Sequence, residues 1–188
     1  MTTPYEKIEK QDAVMVVDVQ KDFCPGGALA VNEGDRIVPV INDWIDAAFL
    51  KQAPVYLSRD WHPWNHLSFA PYGGKWPPHC IQDTDGARFH PDLKCPENAV
   101  IVTKGVRFDQ DQYSAFDQTG LAEQLKRDGV QRLWVGGLAL DVCVLHTVMD
   151  ALKAGLTVRL LREATRPVDA EDGRAAVEKM SAAGATIN

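Results

Sequence analysis

One aspartate and two histidines between residues 58 and 80 form the most informative pattern in this chain of 188 residues. Asp60 and His62 are two residues apart, and side chains at that spacing lie on the same side of an extended segment. One segment can therefore present both to a single metal ion, and His79 from the following loop would complete a set of two histidines and one carboxylate. Such a set leaves coordination positions open for water or substrate. The pattern therefore predicts an open metal centre that polarises the bound water or substrate.

The same histidines can also be interpreted as ordinary loop residues beside a surface aspartate. Clustering favours the metal site, because three of the five histidines and three of the five tryptophans fall in this stretch. His66 lies there too, and it is a candidate fourth ligand, an outer partner of a ligand or a water-mediated contact.

Cys143 is the candidate nucleophile. The run GGLALDVCVLHTVMDALKAG predicts a strand that ends in glycines and a helix that begins close to this cysteine. The positive end of a helix dipole and its free N–H groups favour a thiolate, which is nucleophilic near neutral pH. Free cysteines are also among the most buried residues, so position alone leaves a catalytic and a core role about even.

Length and composition indicate one compact domain over residues 1–188, since the chain is too short for two comfortable domains. The formal net charge is −6, and charges of both signs are interspersed, which argues against a nucleic-acid or anionic-membrane partner. The polar opening MTTPYEKIEKQ and the lack of a membrane-length apolar run predict a cytoplasmic location. The four cysteines are widely spaced without a C-x-x-C pair, and we expect free thiols.

Short apolar segments alternate with helical patterns along the chain. The nearly continuous apolar run Ala13–Val19 predicts a central parallel strand. Apolar residues from Ile37 to Ala48 repeat at helical spacing, with Pro39 tolerated in the first turn. Further strands are expected at Val55–Leu57, Ala99–Val102, Leu133–Val135 and Val158–Leu161, with a short final strand before Asn188, and further helices at Leu121–Arg127, Val142–Lys153 and Ala170–Ala183.

This alternation predicts an α/β fold, a three-layer α/β/α sandwich around a mainly parallel, Rossmann-like sheet. Ligands bind beyond the carboxyl ends of the strands in such sheets. Asp18, Asp60, Lys104 and Cys143 all stand at or just after the ends of predicted strands, as that rule requires. The region from 59 to 97 lacks periodicity, and a loop of that size is usually functional.

Five separated motifs carry a family resemblance: VVDVQKDFCPGGAL, RDWHPWNHLSF, WPPHC, the KG of TKGVRFDQDQYSAF, and GLALDVC. In this order they resemble the nicotinamidase/pyrazinamidase group of the isochorismatase-like cysteine hydrolases, over almost the whole chain. The resemblance implies the isochorismatase-like hydrolase fold. It also implies hydrolysis of nicotinamide to nicotinic acid and ammonia in NAD salvage, with pyrazinamide as a further expected substrate.

Roles for individual residues follow from the resemblance. It implies a catalytic triad of Asp18, Lys104 and Cys143, and an oxyanion hole formed by the backbone N–H groups of Ala139 and Cys143, with a cis peptide between Leu138 and Ala139. It implies that Asp60, His62 and His79 bind one divalent ion (Zn²⁺, Fe²⁺ or Mn²⁺), with His66 as a candidate further ligand. It also implies that Phe23, Trp76 and Leu138 bind the substrate.

Amide hydrolysis gives these roles a chemical reason, because it needs a nucleophile, a proton carrier for the leaving ammonia and donors for the oxyanion. Cys143 would attack the carboxamide carbon, Asp18 would carry the proton, and Lys104 would stabilise the anionic forms of both. The metal would bind the pyridine nitrogen and order water. Without the other motifs, Asp18 and Lys104 would be interpreted as a buried ion pair, and Trp76 as a core residue.

Two positions depart from the family pattern. Leu140 stands where the group commonly has Thr, and Val142 where an aromatic residue or His is common. Both flank the predicted nucleophile turn, so the shape of the acyl pocket and the substrate preference stay open.

Three rival functions deserve comparison. An amidase for N-carbamoyl or ureido substrates is disfavoured by the metal set, and a non-catalytic module with this fold by the retained triad. A redox sensor based on Cys143 is weakened because no resolving cysteine lies nearby in the sequence. Helix faces on both outer layers and exposed aromatic residues are compatible with a homo-oligomer.

Overall fold

Parallel β-strands form the centre of the protein in a computed structural model whose described residues are 3–188. The strand bounds are β1 Asp12–Val17, β2 Val55–Asp60, β3 Val100–Lys104, β4 Arg132–Leu138, β5 Thr157–Arg166 and β6 Thr186–Ile187. They form one sheet in the order β3-β2-β1-β4-β5-β6, with every neighbouring pair parallel. This is the strand order of a doubly wound sheet, and it confirms the predicted Rossmann-like arrangement.

Helices cover both faces of the sheet, because the residues of β1 alternate between two buried clusters. Val14 and Val16 pack with one cluster, whereas Met15 and Val17 pack with the other. The helices are α1 Pro4–Lys7, α2 Val38–Lys51, α3 Leu121–Arg127, α4 Leu145–Lys153 and α5 Ala170–Ala182. Since α2 belongs to the first cluster and α3, α4 and α5 to the second, the three-layer sandwich is confirmed. Within residues 3–188 no helix has the length and apolar character needed to cross a bilayer.

The strand order places a crevice at the carboxyl ends of β1 and β4. The chain leaves β1 toward β2 through α2, and it leaves β4 toward β5 through α4, which lies on the opposite face. The two connections therefore diverge at this point, where open α/β sheets bind their ligands.

Strands β2 to β5 all extend beyond their predicted ends, whereas β1 ends earlier. β1 ends at Val17 and not at Val19, because Asp18 adopts a left-handed conformation with a φ of 48° and turns the chain. β5 continues to Arg166, five residues beyond the predicted end at Leu161. A register shift between Val135 and Gly137 of β4 accommodates this second half, whose polar residues hid it from an apolar pattern.

The predicted helix over Val142–Lys153 is helical throughout, but its first part is not an α-helix. A π-helical turn covers Leu140–Val144, and α4 begins directly after it at Leu145. In this turn the Val144 N–H donates to the Ala139 carbonyl over 3.1 Å. Such turns occur frequently at functional sites.

The buried face of α2 provides a test of the packing. Ile41 is 1% exposed, whereas Phe49 on the same helix is 67% exposed. Ile41→Ala should lower the free energy of unfolding by about 2–5 kcal/mol, because it leaves a cavity between α2 and the sheet. Phe49→Ala should change it by no more than about 0.5 kcal/mol. Urea unfolding of the two variants measures the difference, and similar losses would contradict this packing.

Candidate active site

A buried lysine between two carboxylates lies at the carboxyl ends of three neighbouring strands. Lys104 ends β3, Asp60 ends β2 and Asp18 follows β1. The Lys104 Nζ lies 2.7 Å from Asp18 Oδ2 and 2.5 Å from Asp60 Oδ1, and the side chains of Lys104 and Asp18 are 0% exposed. Ser58 Oγ donates a further bond of 2.6 Å to Asp18 Oδ1. Three ionisable groups from the ends of three strands are thus buried together, away from solvent.

Proton affinities differ within this group. Burial alone would lower the pKa of Lys104, but Asp18 and Asp60 outweigh it and raise that pKa. Burial acts to raise the pKa of Asp60, but Lys104 and His62 outweigh it and lower that pKa. For Asp18 burial prevails over Lys104, and its pKa is raised. Asp60 is therefore the fixed negative partner of Lys104, and Asp18 is the carboxyl suited to exchange a proton.

Cys143 completes this cluster. Its Sγ lies 3.5 Å from Lys104 Nζ, and donor atoms of Asp18, Asp60 and Cys143 lie within 4.8 Å of one another. Burial, with the negative charges of Asp18 and Asp60, raises the pKa of the Cys143 thiol against the opposing effect of Lys104. Burial thus opposes the thiolate that the start of a helix was expected to favour. Attack by this sulfur requires a base that takes its proton, and Asp18 is adjacent.

The predicted oxyanion-hole residues lie beside the sulfur. The Leu138–Ala139 peptide is cis, as predicted. Ala139 and Cys143 both line the same pocket, whereas the Leu138 side chain lies in the core. A contribution of Leu138 to substrate binding would therefore come from its peptide group. The assignment of the two N–H groups to an oxyanion stays a prediction.

The three predicted metal ligands come together on the other side of Asp60. Donor atoms of Asp60, His62 and His79 lie within 4.8 Å of one another. Asp60 Oδ2 is 3.4 Å from His62 Nε2 and 3.9 Å from His79 Nε2. The two oxygens of Asp60 thus face different partners, because Oδ1 contacts Lys104.

Hydrogen bonds of the two histidines show that this set fits a metal ion. His62 Nδ1 donates to the Gly105 carbonyl over 2.9 Å, and His79 Nδ1 donates to the Pro77 carbonyl over 2.7 Å. A carbonyl can only accept, so these bonds place a proton on each Nδ1 and leave Nε2, which faces Asp60, as the nitrogen that would bind a metal ion. Metal-binding histidines are typically held by such a bond from the other ring nitrogen.

His66 lies outside this three-residue cluster. Its Nδ1 is 2.6 Å from Ser68 Oγ, and its Nε2 is 2.9 Å from the Gln110 carbonyl. The ring stacks against His62 with a centroid distance of 4.2 Å. Both nitrogens are thus engaged by protein atoms, and a role for His66 at the metal stays a prediction.

Aromatic residues border the pocket that joins the cysteine to the histidines. The Phe23 ring lies 5.5 Å from that of His79. Trp76 is half-buried and donates its Nε1 hydrogen to the Tyr113 hydroxyl over 3.1 Å, so it is not a plain core residue. The pocket is lined by Phe23, Leu29, Val31, Asp60, His62, Ser68, Trp76, His79, Asp111, Tyr113, Ala139, Val142, Cys143 and Val168.

Several supporting residues were not found from the sequence. Ser58 bonds to Asp18, Gln20 bonds to the backbone of Asp60, and Gln112 Oε1 accepts the Gly105 N–H over 2.9 Å. Ser58 and Gln20 stand close to predicted catalytic residues, but their partners are 40 residues away in the chain. Such contacts depend on strand pairing, and no local spacing reveals them.

Comparison with known proteins places this chain in a family. The Isochorismatase domain model matches residues 12–188. A nicotinamidase from Escherichia coli (strain K12) is 40% identical over 198 residues, covering 93% of this chain and 93% of that protein. The pyrazinamidase of Pyrococcus horikoshii in complex with zinc has a TM-score of 0.92 and 46% identity, covering 95% of this chain and 98% of that one. A protein from L. infantum in complex with nicotinate has a TM-score of 0.87 and 38% identity, covering 95% and 92%.

The chain therefore belongs to the isochorismatase family of hydrolases, as its motifs predicted. Within the family its similar relatives include nicotinamidases and pyrazinamidases.

Two glycines provide a matched test of the His62 position. Gly105 has a φ of 68°, and a Cβ there would lie 2.4 Å from His62 Cε1, whereas Gly120 has a φ of 76° with open space around it. Gly105→Ala should displace His62 and weaken binding of a divalent ion by about 10–100-fold, since the Gly105 carbonyl orients this ligand.

Gly120→Ala carries the same backbone penalty without the contact and should leave metal affinity unchanged. Calorimetric titration of both variants with the same ion makes the comparison. Equal affinities would show that the Gly105–His62 contact does not position the ligand.

Proposed function

We propose that this protein is a metal-dependent cysteine amidohydrolase that converts nicotinamide to nicotinic acid and ammonia, and that it also hydrolyses pyrazinamide. The observation that carries this proposal is that one pocket combines a candidate nucleophile, an aromatic border and a cluster that could bind a metal ion. Cys143 lies against the Asp18–Lys104 pair, an aromatic pair borders the cavity, and a metal-fitting cluster lies at its other side. The similarity to nicotinamidases supports it, and NAD salvage is the corresponding cellular role.

The first step forms a bond between Cys143 Sγ and the carboxamide carbon. Burial disfavours the thiolate, so the thiol proton would move to Asp18 as the bond forms. The electron pair of the C=O bond moves to the oxygen, where the N–H groups of Ala139 and Cys143 would stabilise the negative charge.

The second step breaks the C–N bond. The oxygen electron pair restores the C=O bond while Asp18 returns the proton to the nitrogen, and ammonia leaves. The remaining thioester is attacked by water, which gives a proton to Asp18. The S–C bond then breaks, Asp18 returns this proton to the sulfur to restore the Cys143 thiol, and nicotinic acid leaves.

Lys104 serves both steps through its charge. It lies within 3.5 Å of the sulfur and pairs directly with both carboxylates, so it stabilises each anionic state as the proton moves. Its own proton stays in place, because Asp18 and Asp60 raise its pKa.

Asp60, His62 and His79 would hold one divalent ion, Zn²⁺, Fe²⁺ or Mn²⁺, whose donor preferences all suit this ligand set. When bound, such an ion supplies a Lewis acid for the pyridine nitrogen of the substrate. Phe23 and Trp76 would lie against the two faces of the ring. A cytoplasmic location, a homo-oligomer and one domain over residues 1–188 stay predictions.

Benzamide tests the contact with the ring nitrogen. It keeps the carboxamide and the ring shape but lacks that nitrogen. We expect its kcat/KM to be at least about 100-fold below that of nicotinamide, because a site built for a polar partner is left unsatisfied. Ammonia release measured with both substrates gives the ratio. Equal rates would contradict a metal contact with the ring while leaving the cysteine chemistry intact.

Two cysteine variants test the nucleophile. Cys143→Ala should abolish ammonia release from nicotinamide, because alanine has no sulfur with which to form the thioester. Cys95→Ala should retain most of it, since Cys95 is exposed and does not line the pocket. Mass spectrometry of rapidly quenched wild-type protein should also detect the acylated Cys143 peptide. Activity that survives Cys143→Ala would refute the assignment.

A further inference from the structure

Gln20 connects three segments at the edge of the active site, although the mechanism gives it no role. Its side chain is fully buried, and its amide makes three hydrogen bonds. Gln20 Nε2 donates to the Asp60 carbonyl over 2.7 Å and to the Ala87 carbonyl over 2.8 Å, and Gln20 Oε1 accepts the Asp60 N–H over 2.8 Å. Both backbone groups of Asp60 are therefore held by one side chain.

The path of the chain explains why a side chain is needed there. β1 and β2 pair by their backbones, and the Asp18 N–H still donates to the Ser58 carbonyl over 3.2 Å. The chain then turns at Asp18, and the backbone of Gln20 pairs instead with Phe89. Since the backbone of β1 no longer reaches the end of β2, the Gln20 amide replaces it as the partner of Asp60.

The position of Asp60 matters because its two carboxylate oxygens contact different partners. Oδ1 contacts Lys104 over 2.5 Å, while Oδ2 faces His62 Nε2 at 3.4 Å. A displacement on the order of 1 Å would lose one of the two contacts and can cost a large factor in function. The orientation of this carboxylate depends on the position of its own backbone.

We propose that Gln20 is a positioning residue for the metal centre, which it serves by fixing the backbone of Asp60. The proposal rests on the proposed function, since it assumes that Asp60 is a metal ligand. Both carbonyls that receive the Gln20 amide require a donor, so only a side chain with an N–H group of this length can satisfy them.

Two variants test the proposal. Gln20→Glu keeps the shape but replaces the donor by an acceptor that faces two carbonyls, and Gln20→Met keeps the length without hydrogen bonds. Each should bind zinc about 10–100-fold more weakly than wild type, as is usual when the partners of metal ligands are removed. Competition with a chromogenic chelator measures the affinity without reference to activity, and urea unfolding of the metal-free proteins shows that they fold.

Asn42 of α2 offers a control, because its side-chain amide also bonds to the backbone of the loop between β2 and β3. Its Nδ2 donates to the Asp92 carbonyl over 2.8 Å, and its Oδ1 accepts the Lys94 N–H over 2.9 Å. Asn42→Asp thus makes the same chemical change in a similar amide contact away from the pocket. It should leave zinc affinity unchanged.

Asp60→Ala separates failure of this inference from failure of the proposed function. If wild type binds no zinc, both are overturned. If Asp60→Ala loses zinc but both Gln20 variants bind it as wild type does, only the positioning role is overturned.

Hydrogen exchange covers the case in which neither Gln20 variant folds. The Asp60 amide of metal-free wild type should be strongly protected, because it donates to a buried oxygen. If the Asp60 amide exchanges at the rate of a free amide, Gln20 does not fix the backbone of Asp60 and the proposal is overturned.

Discussion

The active site depends on one physical constraint, the burial of the Lys104 charge. A buried ammonium is unstable unless charged or polar partners surround it, and here Asp18 and Asp60 supply two carboxylates. Each of the three residues comes from a different strand, so only the parallel sheet with aligned carboxyl ends brings them together. Removal of Lys104 would leave the two buried carboxylates without their shared cation. The order β3-β2-β1 is thus an electrostatic requirement of the site as well as a feature of the fold.

Asp60 extends this constraint from the cysteine to the histidines. Its Oδ1 contacts Lys104, and its Oδ2 faces His62 and His79. A movement of Asp60 would therefore change the contacts of the lysine and of the histidines together. The low pKa of Asp60 has the same origin, since Lys104 and His62 both favour its negative form. Asp18 lacks the histidine partners and keeps a raised pKa. In the proposed mechanism, the two carboxylates on one lysine therefore take different tasks from their surroundings, Asp60 as a fixed charge and Asp18 as the proton carrier.

The elements and the Asp60–His62 pair were predicted from local signals, whereas the roles of Asp18 and Lys104 came from the family resemblance. The apolar run of β1 required a buried strand, and the two-residue spacing of Asp60 and His62 placed both side chains at one site. Properties that depend on tertiary surroundings were missed. The raised pKa of Cys143 reflects burial and neighbours from other strands, and the π-helical turn before α4 looks like ordinary helix in a pattern of apolar residues. Gln20 has a partner 40 residues away, which no local motif indicates.

The two departures from the family pattern now have different structural meanings. Leu140 is buried in the cluster that joins α4 and α5, so its apolar side chain contributes to packing behind the turn. Val142 lines the pocket beside Cys143, where together with Val168 it forms an apolar part of the wall. A change in wall size alters discrimination between substrates by only about 1–3 kcal/mol for each methylene, whereas an unsatisfied polar contact excludes a substrate far more strongly. Under the proposed function, the Asp60, His62 and His79 cluster would therefore set the class of substrate, and Val142 would adjust the preference within that class.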